Sequence, residues 1–194
     1  MGACGVLALQ GDWKAHQAIL RELGSEVMAV RTLSDLERVD GLVIPGGESS
    51  AMLRLAESED FFSHIGEKIA TGMMVLATCA GVILLAEEVE PYQPSLGALA
   101  VTVVRNAYGR QVHSAVAKVD LAPELGSPGQ MEGVFIRAPR ISHCGASVEV
   151  LGWWGNDPVL VRENRVLGAT YHPELGTDRR VHELFLRMRE DGHG

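Results

Sequence analysis

The sequence predicts an α/β fold, a three-layer sandwich whose mostly parallel central sheet is extended by mixed or antiparallel strands. Three observations carry this. Short apolar β-type runs alternate with amphipathic helical stretches over the first ninety residues, which implies parallel strands covered by helices on both faces. Between Leu99 and Tyr171 the texture changes to short β-type runs separated by Gly, Pro, Asn and Asp. A last amphipathic segment, about Asp178 to Arg189, places Val181, Leu184, Phe185 and Met188 on one helical face.

In chain order, Cys4 to Leu9 reads as a strand that ends at Gln10-Gly11. Asp12 can cap a helix to about Leu23, on which Trp13, Gln17, Leu20 and Leu23 recur at helical spacing before Gly24 stops it. Glu26 to Val30 and Asp40 to Ile44 are further strands. The second of these ends at Pro45-Gly46-Gly47, after which Ser49 or Ser50 can start a helix carrying Met52, Leu53 and Leu55. Another helix covers about Asp60 to Ala70. From Met73 an apolar run too short for a helix reads as a buried strand that turns into a helix near Ala80, with Cys79 at the join. The runs Leu99–Val104, Val112–Val119, Met131–Ile136, Val148–Trp153, Val159–Arg162 and Val166–Tyr171 are expected to extend the same sheet, with Ser127-Pro128-Gly129 as a turn.

Composition narrows the function. The 194 residues are 46% hydrophobic, enough for a full core, and the expectation is one domain, 1–194. A net charge of -8, no basic block and 5% aromatic residues argue against nucleic acid or an anionic membrane as partner. The N-terminal segment lacks the basic start and long apolar core of a secretory signal, and the three cysteines, Cys4, Cys79 and Cys144, are widely spaced and odd in number. A cytoplasmic, reducing location is expected, without disulfides.

Ligands on parallel sheets bind at the carboxyl ends of the strands, and three sequence features fall there. Cys79, between Ala77 and Ala80-Gly81, occupies a tight strand-to-helix turn where the helix N-terminus favours a thiolate. A buried structural cysteine is the plainer alternative. His172-Pro173-Glu174 follows the last strand, and Pro173 biases His172 toward an extended conformation in which residues two apart project together. That suits a general base and the carboxylate that orients it, although a His-Pro turn with a solvated Glu uses the same residues. Pro45-Gly46-Gly47-Glu48-Ser49 offers backbone N–H groups to a nearby oxyanion, or is an ordinary capped turn. His16, His64 and His182 fall on helices, and His113, His143 and His193 on strand or loop, with no metal-ligand spacing. Neither a metal nor a cofactor is expected. Cys4 and Cys144 read as structural.

Taken together, Val6-Leu7-Ala8-Leu9-Gln10-Gly11, Pro45-Gly46-Gly47-Glu48-Ser49, Thr78-Cys79-Ala80-Gly81, Arg105-Asn106-Ala107-Tyr108-Gly109-Arg110-Gln111, Glu132-Gly133-Val134-Phe135-Ile136-Arg137-Ala138-Pro139 and His172-Pro173-Glu174-Leu175 resemble the glutaminase subunits of pyridoxal 5′-phosphate synthase, among the class I glutamine amidotransferases. The likeness runs from the first strand to the last helix. Cys with His-Pro-Glu specifies only the broad class; the Arg105 to Gln111 and Gly133 to Pro139 segments are more specific.

The resemblance implies the amidotransferase-type sandwich, Cys79 as nucleophile with His172 and Glu174 as partners, and Gly46, Gly47, Glu48, Ser49, Arg105, Ile136 and Arg137 around L-glutamine. It also implies a separate synthase subunit that takes the ammonia. Because the Gly46-Gly47 pair can rotate a peptide at little steric cost, the isolated chain is expected to be a poor glutaminase until that partner docks on Gln10-Gly11 and the first helix. Three departures stand out: Ala15 where the family has Glu before His16, Ala77 where many members have Gly, and Ser50 in place of Thr.

Readings from other classes remain. The protease-like branch of the cysteine-elbow superfamily carries His directly after the cysteine, where this chain has Ala80, and a non-catalytic regulator would be expected to lose Cys79, His172 or Glu174. A glutaminase serving another ammonia acceptor is the further alternative.

Overall fold

The computed structural model describes residues 2–56, 61–105, 107, 114–127 and 129–191. Asp60, the expected strand start at 112–113, most of the segment after Arg105, Pro128, His113 and His193 lie outside those residues.

Five strands form the parallel half of a nine-stranded sheet: β1 (Ala3–Leu7), β2 (Val27–Val30), β3 (Val39–Ile44), β4 (Met74–Thr78) and β12 (Val166–Ala169). They are linked by α1 (Trp13–Glu22), the short α2 (Leu33–Leu36), α3 (Ser49–Ala56) and α4 (Phe61–Ala70). The antiparallel half is β7 (Ser114–Leu121), β8 (Gln130–Ile136), β10 (Glu149–Trp154) and β11 (Asp157–Glu163). The order across the sheet is β2-β1-β3-β4-β12-β11-β10-β7-β8. In β4 every residue is buried, as a parallel strand covered on both faces must be.

One expectation is corrected. Leu99–Val104 does not extend the main sheet. As β6 it pairs with β5 (Ala86–Glu90) and β9 (Arg140–Cys144) in a separate three-stranded sheet. The physical reason lies in what its alternating face meets. Leu99, Val101 and Val103 pack with Ile141, with Val82 and Leu85 of α5 (Ala80–Leu85) and with the α3–α4 side of the core. The small sheet therefore covers that flank, and the place beside β4 is taken by β12. A second apolar cluster on the opposite face, including Leu20, Leu76, Leu167 and Phe185, is closed by α1 and by α6 (Arg180–Asp191).

Two local details also differ. Asp12 is the N-cap of α1 but makes no side-chain capping bond. Residues Pro173–Leu175 form a turn of 3-10 helix rather than an extended segment, because Pro173 suits its first position and Leu175 N–H closes it on His172 C=O at 3.2 Å.

Candidate active site

The exits of β1, β3, β4 and β12 lie at one edge of the parallel sheet. A cavity of about 470 Å³ opens there, lined by Gln10 and Gly11, the Gly46–Ser49 loop, Cys79, Ala80 and Ile83, Arg105, Ile136 and Arg137, and His172. Every residue singled out from the sequence borders it except Glu174, which lies behind His172.

Cys79 sits in a strained turn. Its φ of 47° is a left-handed conformation uncommon for a residue with a side chain, held because β4 must pass straight into α5. The Cys79 N–H donates to Ala169 C=O at 2.8 Å, which ties the turn to β12. Close approach of β3 enforces the glycine at 81, where an added Cβ would lie 2.4 Å from the Ile44 carbonyl oxygen. The Cys79 Sγ faces the Ile136 carbonyl at 3.8 Å. Arg137, also at positive φ (44°), lies next to it on the far wall.

His172 reaches Cys79 from one side and Glu174 from the other. Its Nδ1 lies 2.7 Å from Glu174 Oε1, and its main-chain N–H donates to Val134 C=O at 2.8 Å, which draws the end of β8 over β12. Burial alone would lower the His172 pKa, but hydrogen bonds to Cys79 and Glu174 outweigh it and push it up to about 10. For Glu174, burial acts upward. The adjoining His16 and His172 imidazoles overcome that and hold its carboxyl well below the usual carboxylate range. The pair therefore favours imidazolium beside carboxylate across the neutral range.

Gly46 packs against both partners, since a Cβ there would meet His172 Cε1 at 2.4 Å and Cys79 Cβ at 3.2 Å. Its N–H donates to Thr78 Oγ1 (3.1 Å), so Gly46 itself is not a free donor for an oxyanion. Gly47 has φ 155°, and the next N–H, of Glu48, is held by Gln10 Oε1 at 2.9 Å. Ser49 and Ser50 hydroxyls both donate to Gln93 Oε1, at 2.9 and 3.3 Å, and Arg105 Nη2 donates to Ser50 Oγ at 3.4 Å.

This arrangement can perform acyl transfer at a carbonyl: a thiol at a strained turn, a histidine against it, a carboxylate behind the histidine, and paired glycines at the cavity wall. The comparisons with known proteins bear on the family. A model of the SNO glutamine amidotransferase family matches residues 6–191. The chain belongs to this family. Among amidotransferase relatives, the pyridoxal 5′-phosphate synthase subunit PdxT of Koribacter versatilis is 51% identical over 191 residues, covering 97% of this chain and 96% of that one. The PdxT of Fervidobacterium nodosum is 46% identical over 188 residues, covering 96% and 97%. A crystal structure of a glutamine amidotransferase superposes with a TM-score of 0.90 at 42% identity, over 97% of this chain and all of that one (100%). The structure of PurLQS from Thermotoga maritima shares the fold at a TM-score of 0.72 and 16% identity, over 96% of this chain and 99% of that one.

Gln10 was anticipated only as part of a motif and a docking surface, and Gln93, His16 and His182 were not singled out from the sequence as functional. Gln10 holds the middle of the Gly46–Ser50 loop at Glu48, and Gln93 holds its Ser49–Ser50 end. His16 and His182, read only as helix residues, are fully buried beneath Glu174. The available signal was weak: His16 precedes Ile19 and Leu20 by three and four positions, which puts a polar ring on the apolar face of α1. Among the described residues no group of three or more His, Cys, Asp or Glu is placed to hold a metal ion, and no helix is long and apolar enough to cross a membrane.

Proposed function

We propose that this chain is the glutaminase subunit of a pyridoxal 5′-phosphate synthase, with Cys79 as nucleophile, His172 as acid and base, and Glu174 as the carboxylate that orients it. The observation that carries the assignment of roles is the strained Cys79 turn lying against a His172–Glu174 pair 2.7 Å apart at the wall of the cavity. Cys79 thiolate attacks the side-chain amide carbon of L-glutamine, and the C–N bond breaks as His172 delivers a proton to the leaving ammonia. Water, activated by His172, then attacks the thioester, releasing glutamate and restoring the thiolate. With the Gly46 N–H committed to Thr78, the oxyanion falls to the Gly47 and Ala80 amides.

The substrate α-carboxylate pairs with Arg105 or Arg137, since a planar guanidinium matches a carboxylate and both line the cavity. Glu48 and Ser49 are the remaining polar groups at that wall, and Ile136 supplies an apolar contact. The relatives are named as subunits of a synthase, so the acceptor of the ammonia is a separate synthase subunit, met in the cytoplasm, where three free cysteines are at ease. Docking beside Gln10 and Gly11 adjusts the Gly46–Glu48 loop, because Gln10 holds the Glu48 N–H.

The test is glutamate release by the chain alone and with a pyridoxal 5′-phosphate synthase subunit, using Cys79→Ala as the blank. Release should depend on Cys79 and rise about a hundredfold or more with the partner, the effect of supplying one oxyanion donor. Release that persists in Cys79→Ala would overturn the assignment.

A further inference from the structure

Beneath the cavity lies a chain of buried polar groups that none of the chemistry above uses. His16 of α1, Thr78 of β4 and His182 of α6 have no solvent exposure. His16 Nδ1 lies 3.0 Å from His182 Nε2, and His16 Nε2 lies 3.2 Å from Thr78 Oγ1 and 3.3 Å from Glu174 Oε2. Thr78 Oγ1 in turn accepts the Gly46 N–H. Glu174 Oε2 has no well-aligned hydrogen bond of its own, so His16 is what stands against the second oxygen of this buried carboxylate.

The donors and acceptors around His182 and His16 favour one placement of the protons. Burial first, then the neighbouring His16, lower the His182 pKa to about 3, so its ring is neutral with one N–H. The His182 Nδ1 is buried without a partner. A bare lone pair there costs less than a stranded N–H, which puts the proton on Nε2, facing His16 Nδ1. An N–H on His16 Nε2 then lies between Glu174 Oε2 and Thr78 Oγ1. The opposite arrangement would strand a buried N–H on His182 and turn a lone pair of His16 toward a carboxylate.

We infer that His16 is a positioning residue of the amidotransferase site: its Nε2–H fixes Glu174 from behind so that Oε1 stays on His172, and its bond to Thr78 braces the Gly46 peptide on the other side of the cysteine. This rests on the roles proposed above for Cys79, His172 and Glu174. His16 does not border the cavity, so it acts on the rate of the chemical steps and not on the binding of glutamine.

The experiment measures kcat and KM for glutamine in the complex with the synthase subunit for wild type, His16→Leu, His16→Gln and His16→Asn, with Cys79→Ala as blank and thermal unfolding to register folding. A glutamine amide reaches the place of Nε2, whereas an asparagine amide reaches only that of Nδ1. His16→Leu and His16→Asn should lose about 10- to 100-fold in kcat, the usual cost of removing a group that orients an active-site ligand, with KM changed less than about threefold. His16→Gln should recover most of the loss. If the leucine variant does not fold, the asparagine and glutamine pair, alike in polarity, still gives the comparison. Equal kcat in those two, or a change confined to KM, overturns the positioning role while leaving Cys79-dependent glutaminase activity in place. Absence of Cys79-dependent release from wild type would overturn both.

Discussion

Replacing Gly46 with alanine tests the packing on which the proposed mechanism depends. The new methyl carbon would stand 2.4 Å from His172 Cε1, 3.1 Å from His172 Nδ1 and 3.2 Å from Cys79 Cβ. Carbon atoms settle no closer than about 3.5 Å, so one side must retreat by about 1 Å. The backbone of Gly46 is not free to move away. Its N–H is bonded to Thr78 Oγ1, and its carbonyl oxygen lies so close to Gly11 that a Cβ at Gly11 would meet it at 1.8 Å. The His172 ring must therefore turn, although its Nδ1 is held at 2.7 Å by Glu174 and its other side engages Cys79.

A displacement of that size costs about 10²-fold in rate, or roughly 2.7 kcal/mol of transition-state stabilisation. The fold should weaken only by what the displaced His172–Glu174 contact contributes, since the obstructing atoms belong to side chains and not to the backbone. Gly81→Ala is the contrast, because the atom in its way is the Ile44 main-chain oxygen at 2.4 Å, and there the fold itself should weaken. The assay is kcat for glutamate release in the synthase complex, read beside thermal unfolding of the isolated chain. Wild-type kcat in a folded Gly46→Ala protein would refute the reasoning, since it would mean that the ring can withdraw and still serve the cysteine.

Two further outcomes are expected. A glutamine-like diazoketone should label Cys79 in the cavity and spare Cys4 and Cys144, both of whose thiols are pushed up by burial; peptide mass spectrometry showing label on either would contradict this. The second concerns acid and base. Glu174, depressed when folded, contributes stability that is complete above its ordinary value of 4.5 and is lost as pH falls, while His172, raised when folded, contributes stability complete below 6.5 and lost as pH rises through about 10. Melting temperatures of wild type and Glu174→Gln should differ most between those ordinary values and converge toward acid; a gap independent of pH would show that the charge of Glu174 is not what the fold exploits.

The parallel half of the sheet was legible because each buried strand is punctuated. Gln10-Gly11, Pro45-Gly46-Gly47 and Ala80-Gly81 mark exits where the chain must turn sharply, and those exits carry the cavity. The three-stranded sheet was not legible. β5 follows α5 without a break at Leu85–Ala86, and the alternation in β6 says which residues face a core without saying which sheet supplies the neighbours. The pairing of His172 with Glu174 was anticipated through extended geometry, yet it arises from a 3-10 turn, since Pro173 restricts only the residue before it and itself suits the first position of a turn that closes on His172. His16 was hidden for a different reason. Its partners are 62 and 166 positions away in Thr78 and His182, so its place on the apolar face of α1, the one local hint, does not say what it meets there.

That separation in sequence also shows how the site is braced. The groups facing the cavity sit on turns and are held by main-chain bonds such as Cys79 N–H to Ala169 and His172 N–H to Val134. The groups behind them, His16, Thr78 and His182, lie on α1, β4 and α6, elements whose apolar residues pack together in one core cluster. Gln10, just before α1, holds the Glu48 N–H, and His16, within α1, stands against Glu174. The same short stretch of chain thus touches the oxyanion loop with one residue and the carboxylate of the base pair with another. A rigid displacement of the start of α1 cannot move one without the other, so any contact that shifts this helix acts on the loop and on His172 together.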